Sequence, residues 1–450
     1  MKPHTTTGPL ARTVVGSENL GGTSFLDSPS HPRVFPTWPL ALPLAGYPLW
    51  WVLGLGDMIW PVTAILMSFY LLRGRSVRVP RGLGIWLLFI ICMVASVIEI
   101  DSFPRLIGFV YRAALYLAAT VVFIYVYNAR AAVTVQYAAG VLTSFWLVIT
   151  AGGYLGVFAP LLSFKTPLAF ILPQSLLTND LVREMAFRRV TQFNPESYFM
   201  FDPRPSAPFL YTNAWGNAYS ILTPIVIAYM FAVRGTWKFW WLLAALPLSL
   251  VPAFLTLNRG MFVGLGVAAL YIAIRSVAVG RFRVISGLLG LGVLVGLAFL
   301  VLPISERLTQ RLDTSSTTAD RASLYGETLA RSLESPIFGY GAPRPSVSAG
   351  IPSAGTQGQL WMVLFSHGFP AAAFFVGALI WAVVRTRRHH SGIGLAMNTA
   401  IVVSLVEIVF YGIIGTGLCI VMICAGVLIR PRIASANQLT KLQPDSLLPS

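Results

Sequence analysis

The residues best able to do chemistry in this sequence are arginines set where charge is out of place. Arg112 falls inside the apolar run 106–127, where a guanidinium costs roughly 2.5–3.5 kcal/mol on insertion scales. It needs either a partner or a ligand. Glu407 is the one carboxylate well inside another apolar run, so an Arg112–Glu407 pair is the structural expectation. Arg105, seven residues earlier and on the same helical face, supplies the functional one, in which the two arginines line a cavity for an anionic group. Arg259, in LTLNRGMF, interrupts the hydrophobic pattern between two further runs. Gly260 marks a tight turn there, and a guanidinium held at that turn is also placed to receive a phosphate arriving from a lipid phase.

The other familiar chemistries find little support. Cys92, Cys419 and Cys424 all fall inside apolar runs, which leaves no thiol pair for a disulfide or a zinc site. Neither a metal nor any other cofactor is expected. The chain has no GxxxxGK[ST] loop, so direct coupling to nucleotide hydrolysis has no machinery. Nor does a basic stripe with interleaved aromatics occur on a soluble stretch, which argues against nucleic acid as a partner.

The elements that must position these residues are membrane helices. Hydrophobic residues make up 56% of the chain and charged residues only 11%, far from the balance of a soluble domain. Runs long enough to cross ~30 Å of hydrocarbon occur at 39–55, 57–72, 83–99, 106–127, 133–153, 213–233, 238–256, 260–275, 284–303, 359–384, 393–411 and 413–429. An all-α polytopic membrane protein with about 12 transmembrane helices follows. The first two runs contain Pro39, Pro43, Pro48 and Pro61 and barely fit two crossings. Arginines at 73–81, 130, 234, 275–283, 385–388 and 430–432 fall on alternate connections, which the positive-inside rule places in the cytoplasm. The net charge of +16 is then largely topological. Residues 1–37 and 430–450 are expected to be disordered cytoplasmic tails, flanking a single transmembrane domain at 38–429.

Two connections are long, about 154–212 and 304–358, and both fall outside the cell in this arrangement. Long loops carry function or disorder. The first contains FKTPLAFILPQSLL, a candidate interface-lying piece, and DLVREMAFRRVTQF, an amphipathic stretch. In that stretch Leu181, Met185 and Phe193 would lie in the interface while Arg183, Arg188 and Arg189 meet head groups; a solvated surface helix is the equal alternative. In the second loop, Ala319–Leu333 has helical periodicity with Leu324, Thr328 and Arg331 on one face, ended by Ser335 and Pro336. Gly339-Tyr340-Gly341 then turns the chain.

LNRG before one membrane helix, then ADRASLY, SPIFGYG and GTQGQLWMVLFSHGFP after the next, together resemble the O-antigen ligase and polymerase family of bacterial envelope glycosyltransferases. YTNAWGNAY at 211–219 is similar as well, and the likeness covers roughly half the chain. The resemblance implies a C-type glycosyltransferase-like bundle with two larger external loops. Such a protein, multi-pass in the cell membrane with its site facing outside, moves glycan from a polyprenyl-diphosphate-linked oligosaccharide to a glycan acceptor without a metal. Arg259 and Arg321 match the family's two key arginines, which would stabilise charge on the departing diphosphate. Asn213, Asn217, Tyr340, Arg105 and Arg112 are the further substrate-binding candidates.

Gln357 stands where the family's ligases carry a histidine, and an amide does not titrate near neutral pH. A polysaccharide polymerase is therefore favoured over a ligase. His367, the only histidine on the external side, lies ten residues on, about 15 Å deeper along an ideal helix. It is a base candidate or, more simply, a buried hydrogen-bonded histidine; Asp320, Glu327, Glu196 and Asp202 are carboxylate alternatives. A secondary transporter or flippase of a lipid-linked or anionic substrate is the rival from another class, although no internal repeat of the kind transporters show is visible.

Overall fold

A computed structural model describes residues 35–74, 76–177, 180–192, 203–301, 317–347, 352–390 and 392–430. Nearly all of both expected tails, Phe193, Glu196 and Asp202, and the side chain of Asp320 lie outside the described residues. The chain is largely helical. Two short helices, α1 (Trp38–Leu44) and α2 (Tyr47–Val52), precede α3 (Ile59–Arg73), α4 (Gly84–Ala95), α5 (Phe103–Asn128) and α6 (Val135–Phe158). The first long connection carries β1 (Ser163–Lys165), α7 (Pro167–Ile171), α8 (Gln174–Leu177), α9 (Asp180–Ala186), β2 (Phe187–Arg189), β3 (Thr191–Gln192) and β4 (Arg204–Pro205). Then come α10 (Thr212–Ala232), α11 (Trp237–Leu255), α12 (Arg259–Val277), α13 (Phe282–Val301), α14 (Thr317–Ser332), α15 (Gln359–Thr386), α16 (Gly392–Glu407) and α17 (Thr416–Ile429).

Among the described residues five helices, α5, α6, α11, α12 and α15, are long and apolar enough to cross a membrane. Twelve spans are not confirmed. The run 39–55 is two short helices, because Pro43 and Pro48 each remove a backbone donor and Gly46 packs its backbone on the Leu42 carbonyl between them. Helix α10 departs from the pattern for a different reason: Thr212, Asn217, Ser220 and Thr223 dilute its hydropathy, and it is buried on nearly every face. With α17, whose residues are all buried, it forms the centre of the bundle. The perimeter is apolar and exposed, at Val110, Leu117, Trp240, Trp241, Leu270 and Ile274 for example, the surface that a membrane-embedded bundle presents.

The bundle has two chemically different ends. At one, Arg281 donates to the His390 carbonyl at 2.9 Å, Arg275 donates to the carbonyls of Arg387 and His389, and Asn128 and Arg78 exchange bonds at 2.8 and 2.9 Å. The basic connections collect there. Every carboxylate whose side chain is described belongs to the other end: Asp57, Glu99, Asp101, Glu184, Glu327, Glu334 and Glu407.

Helix α15 is broken at Gly368, which takes φ +81° and ψ 175° ahead of Pro370. A break at membrane depth frees backbone groups that must be satisfied inside the protein. The loop after α14 does so: Tyr340 N donates to Phe365 O at 2.9 Å, Gly341 N to Ser366 O at 2.7 Å, and Phe369 N to Pro336 O at 2.8 Å. Gly339 and Gly341 are required for this approach, with φ of +64° and +70° and no room for a Cβ against Phe365 O and Ser96 O.

Candidate functional site

At the carboxylate-bearing end, the first turn of α12, the helix α14, the start of α15 and the segment after α16 converge. Leu257, at φ +49°, reverses the chain between α11 and α12 in a conformation that non-glycine residues seldom take. Asn258 follows, 5% exposed; its amide donates to Thr212 O at 3.0 Å and accepts from the Tyr411 hydroxyl. A Cβ added at Gly260 would meet that hydroxyl at 2.6 Å, so Tyr411 lies directly on the turn that carries Arg259.

From the other side, α14 brings Arg321 to the same junction, since the Tyr325 hydroxyl, one turn on, donates to Val409 O at 3.5 Å, two residues before Tyr411. Helix α14 is held down by its apolar face: Leu324 and Thr328 are 2% and 1% exposed, the periodicity that the sequence predicts, and Leu324 packs with Tyr340, Ala354 and Phe365. One turn beyond Arg321, Tyr325 stacks on Trp361 with centroids 4.6 Å apart, and the Trp361 indole donates to Val409 O at 2.9 Å. Arg259 and Arg321, 62 residues apart in sequence, are thus carried to one junction, Arg259 on the turn against which Tyr411 packs and Arg321 on the helix whose Tyr325 stacks on Trp361.

Gln359 locks the junction. Its carbonyl oxygen accepts from Ile413 N at 3.0 Å and Ile414 N at 2.9 Å, its amide nitrogen donates to the Tyr116 hydroxyl at 2.6 Å, and its backbone N–H donates to Tyr411 O at 2.7 Å. Gln357, two residues earlier, is half-buried and makes no side-chain hydrogen bond among the described residues. Its amide is available to a ligand, as a donor and as an acceptor.

The arginines at this end fall into two groups. Arg105 donates to Tyr340 O at 2.7 Å, Ala342 O at 3.1 Å and the Asp101 carboxylate; Arg344 pairs with Asp101 at 3.2 Å, and Arg331 with Glu327 at 2.9 Å. These pin the loop 335–347. Arg112, Arg259 and Arg321, by contrast, make no hydrogen bond or ion pair among the described residues. Cations without partners beside a polar junction are the natural binders of an anionic ligand.

The loop clamp carries a pH dependence. Hydrogen bonding from Arg105 holds the exposed Asp101 carboxyl below its ordinary range. Burial works against ionisation of Glu327, but bonds from Ser346, Val347 N and Arg331 outweigh it and hold that carboxyl low too. Depressed carboxyls stabilise the folded loop above their unfolded pKa of about 4 and lose that contribution as pH falls through the folded values. Hydrogen-exchange protection of the Tyr340 and Gly341 amides, corrected for intrinsic rate, is expected to be full at pH 7 and to fall near pH 3. Equal protection at the two pH values would contradict the clamp.

Several sequence expectations change. Glu407 does not pair with Arg112: it is fully buried, and its oxygens accept from Asn217 Nδ2 and Ser220 Oγ, both at 2.6 Å. Asn217, expected at the substrate, is 2% exposed and committed to that carboxyl, while Asn213 is half-buried with no hydrogen bond from its side chain. Tyr340 is 7% exposed, and its single hydroxyl proton faces both Glu334 Oε2 at 2.7 Å and Arg331 O at 3.0 Å. Arg105 is occupied in the clamp and not in a cavity. The stretch 180–193 is not one amphipathic helix, since α9 ends at Ala186 and β2 pairs antiparallel with β1. Arg188 consequently turns inward, 2% exposed, donating to Gly54 O at 3.2 Å where head-group contact was expected.

His367 is 1% exposed, its Nδ1 is 2.7 Å from Ser96 Oγ, and the rings of Phe89, Phe109 and Tyr116 meet it edge-on. That is the buried, hydrogen-bonded placement. Tyr411 and Gln359 escape sequence reasoning, and Asn258 enters it only as part of the break in LTLNRGMF. The signal was weak but present: each is a polar residue at the abrupt edge of an apolar run. Compared with models of known families and with characterised proteins, the chain matches none.

Proposed function

We propose that the protein is a membrane glycosyltransferase of the outer face that polymerises glycan, using a polyprenyl-diphosphate-linked oligosaccharide as donor and a growing glycan as acceptor. The observation that carries this reading is that two arginines with no hydrogen bond or ion pair among the described residues, Arg259 and Arg321, sit on the elements that meet around Tyr411. Such a pair suits a leaving group with two phosphates. The bilayer supplies the lipid-anchored substrate, and the end rich in arginine-bearing connections faces the cytoplasm by the positive-inside rule. The site then faces outward.

In the reaction the acceptor hydroxyl oxygen attacks the anomeric carbon from the face opposite the diphosphate. The carbon–oxygen bond to the diphosphate breaks and its electron pair stays on the departing oxygen, where Arg259 and Arg321 stabilise it without a metal. Gln357 orients the acceptor hydroxyl through its free amide. Its proton leaves late, to solvent or to the departing diphosphate, because a glutamine cannot take it.

Reconstitution tests the reading. With polyprenyl-diphosphate oligosaccharide as the sole glycan, proteoliposomes are expected to yield a ladder of longer lipid-linked glycans. Transfer only to an added lipid, cell-wall or protein acceptor would make the protein a ligase. Movement of intact substrate across the bilayer would make it a transporter.

A further inference from the structure

We infer that Arg112 forms a second anion site, separate from Arg259 and Arg321, which holds the phosphates of another lipid-linked substrate inside the bundle. Its identity as a lipid diphosphate site rests on the function proposed above; its existence as an anion site does not.

Arg112 lies on the inward face of α5. Phe109 and Tyr116, neighbours on that face, are 7% and 0% exposed, and Arg112 between them is half-buried. It stands about 14 Å along an ideal helix from Phe103. The guanidinium folds back over its own helix, its Nη1 3.2 Å from where a Cβ on Gly108 would stand, and none of its five N–H groups has a hydrogen-bond partner among the described residues. A charge in this position is expensive unless a ligand uses it.

Two neighbouring groups also keep a hydrogen-bonding capacity unused among the described residues, and both follow from proton counting. Gln359 Oε1 accepts two backbone N–H groups, so its Nε2 must donate to Tyr116. Tyr116 is the acceptor in that bond, which leaves its own hydroxyl proton free to donate. Ser96 Oγ has one proton and two neighbours at 2.7 Å, Met93 O and His367 Nδ1. A carbonyl can only accept, so that proton goes to Met93 and Nδ1 carries the imidazole hydrogen. His367 Nε2 is then a bare acceptor, buried and without a partner, within the electrostatic reach of Arg112. A phosphate takes the guanidinium and phenol donors, and a bound water or a phosphate hydroxyl satisfies Nε2.

Gln359 stands between these groups and the Tyr411 side, bonding to Tyr116 on one hand and to the Tyr411 backbone on the other. Two anion sites flanking one junction match a reaction in which donor and acceptor both carry lipid diphosphates. That deepens the proposed polymerase reading, because a ligase with a non-phosphorylated acceptor needs only one.

Full-length protein in nanodiscs, titrated calorimetrically with inorganic pyrophosphate and with geranyl diphosphate, tests this. Wild type is expected to bind two equivalents and Arg112→Gln one. Without ligand, Arg112→Gln is expected to melt at a higher temperature, since an unpaired charge is removed, whereas removal of a structural arginine would lower Tm. Two equivalents in Arg112→Gln, or a lowered Tm, would overturn the site. The Arg259→Ala, Arg321→Ala double variant is expected to retain the Arg112 equivalent and lose the other; two equivalents there would refute the first site and leave this one standing. Geranyl diphosphate is expected to bind at the Arg112 site at least tenfold more tightly than pyrophosphate, and equal affinity would overturn the lipid-linked assignment.

Discussion

Arg321→Ala and Arg259→Ala are each expected to lower the initial rate of glycan transfer by about 10²–10³-fold, the usual cost of deleting one preorganised donor from a site where negative charge develops. Neither side chain makes a hydrogen bond or ion pair among the described residues. Folding should therefore be indifferent to their loss, and both variants are expected to melt within a degree or two of wild type. Lysine retains the charge but not the planar fork that grips two phosphate oxygens, so Arg321→Lys and Arg259→Lys should recover only part of the rate. Turnover of either alanine variant within threefold of wild type would remove that arginine from the site.

The second large effect separates two glutamines that stand two residues apart. Gln359→Leu leaves Ile413 N and Ile414 N without an acceptor and the Tyr116 hydroxyl without a donor. Stranded buried polar groups cost roughly 1–3 kcal/mol each, so a loss of about 2–5 kcal/mol in unfolding free energy is expected. Transfer should fail along with stability, because the same bonds fix the segment that carries Tyr411. Gln357→Leu breaks no bond and should leave stability unchanged while slowing transfer to the acceptor. Denaturant titration of both variants in detergent checks this. Equal destabilisation of the two would contradict the division of labour.

That contrast shows what a sequence can and cannot disclose about this chain. Periodicity is local, and it foretold the α14 face of Leu324 and Thr328 and the turn at Gly339–Gly341, because each depends only on residues within a few positions. Partner choice is not local. Arg112 and Glu407 attract each other on paper as lone opposite charges in apolar runs, but α10 packs between α16 and α6 and offers Asn217 and Ser220 to the carboxyl first. Arg188 has amphipathic neighbours, yet the antiparallel pairing of β1 with β2 turns it into the bundle beside Gly54 and Gly56. Length alone counts two crossings in the N-terminal runs, while their prolines allow a broken helix as well, and the break is what the structure has at 45–46. For the site, Arg259 and Arg321 were legible as residues, but the junction they share at Tyr411 was not, since 90 residues separate it from Arg321.

The central claim is that the arginine pair supports bond transfer from a lipid diphosphate without a metal. Its most direct test counts products in one reaction: proteoliposomes, polyprenyl-diphosphate oligosaccharide and excess EDTA, with released polyprenyl diphosphate and new glycosidic bonds quantified together. One lipid diphosphate released per bond formed, in the presence of chelator and lost in Arg321→Ala, is the expected result. Intact substrate with no released lipid diphosphate, or release that persists in Arg321→Ala, would contradict it.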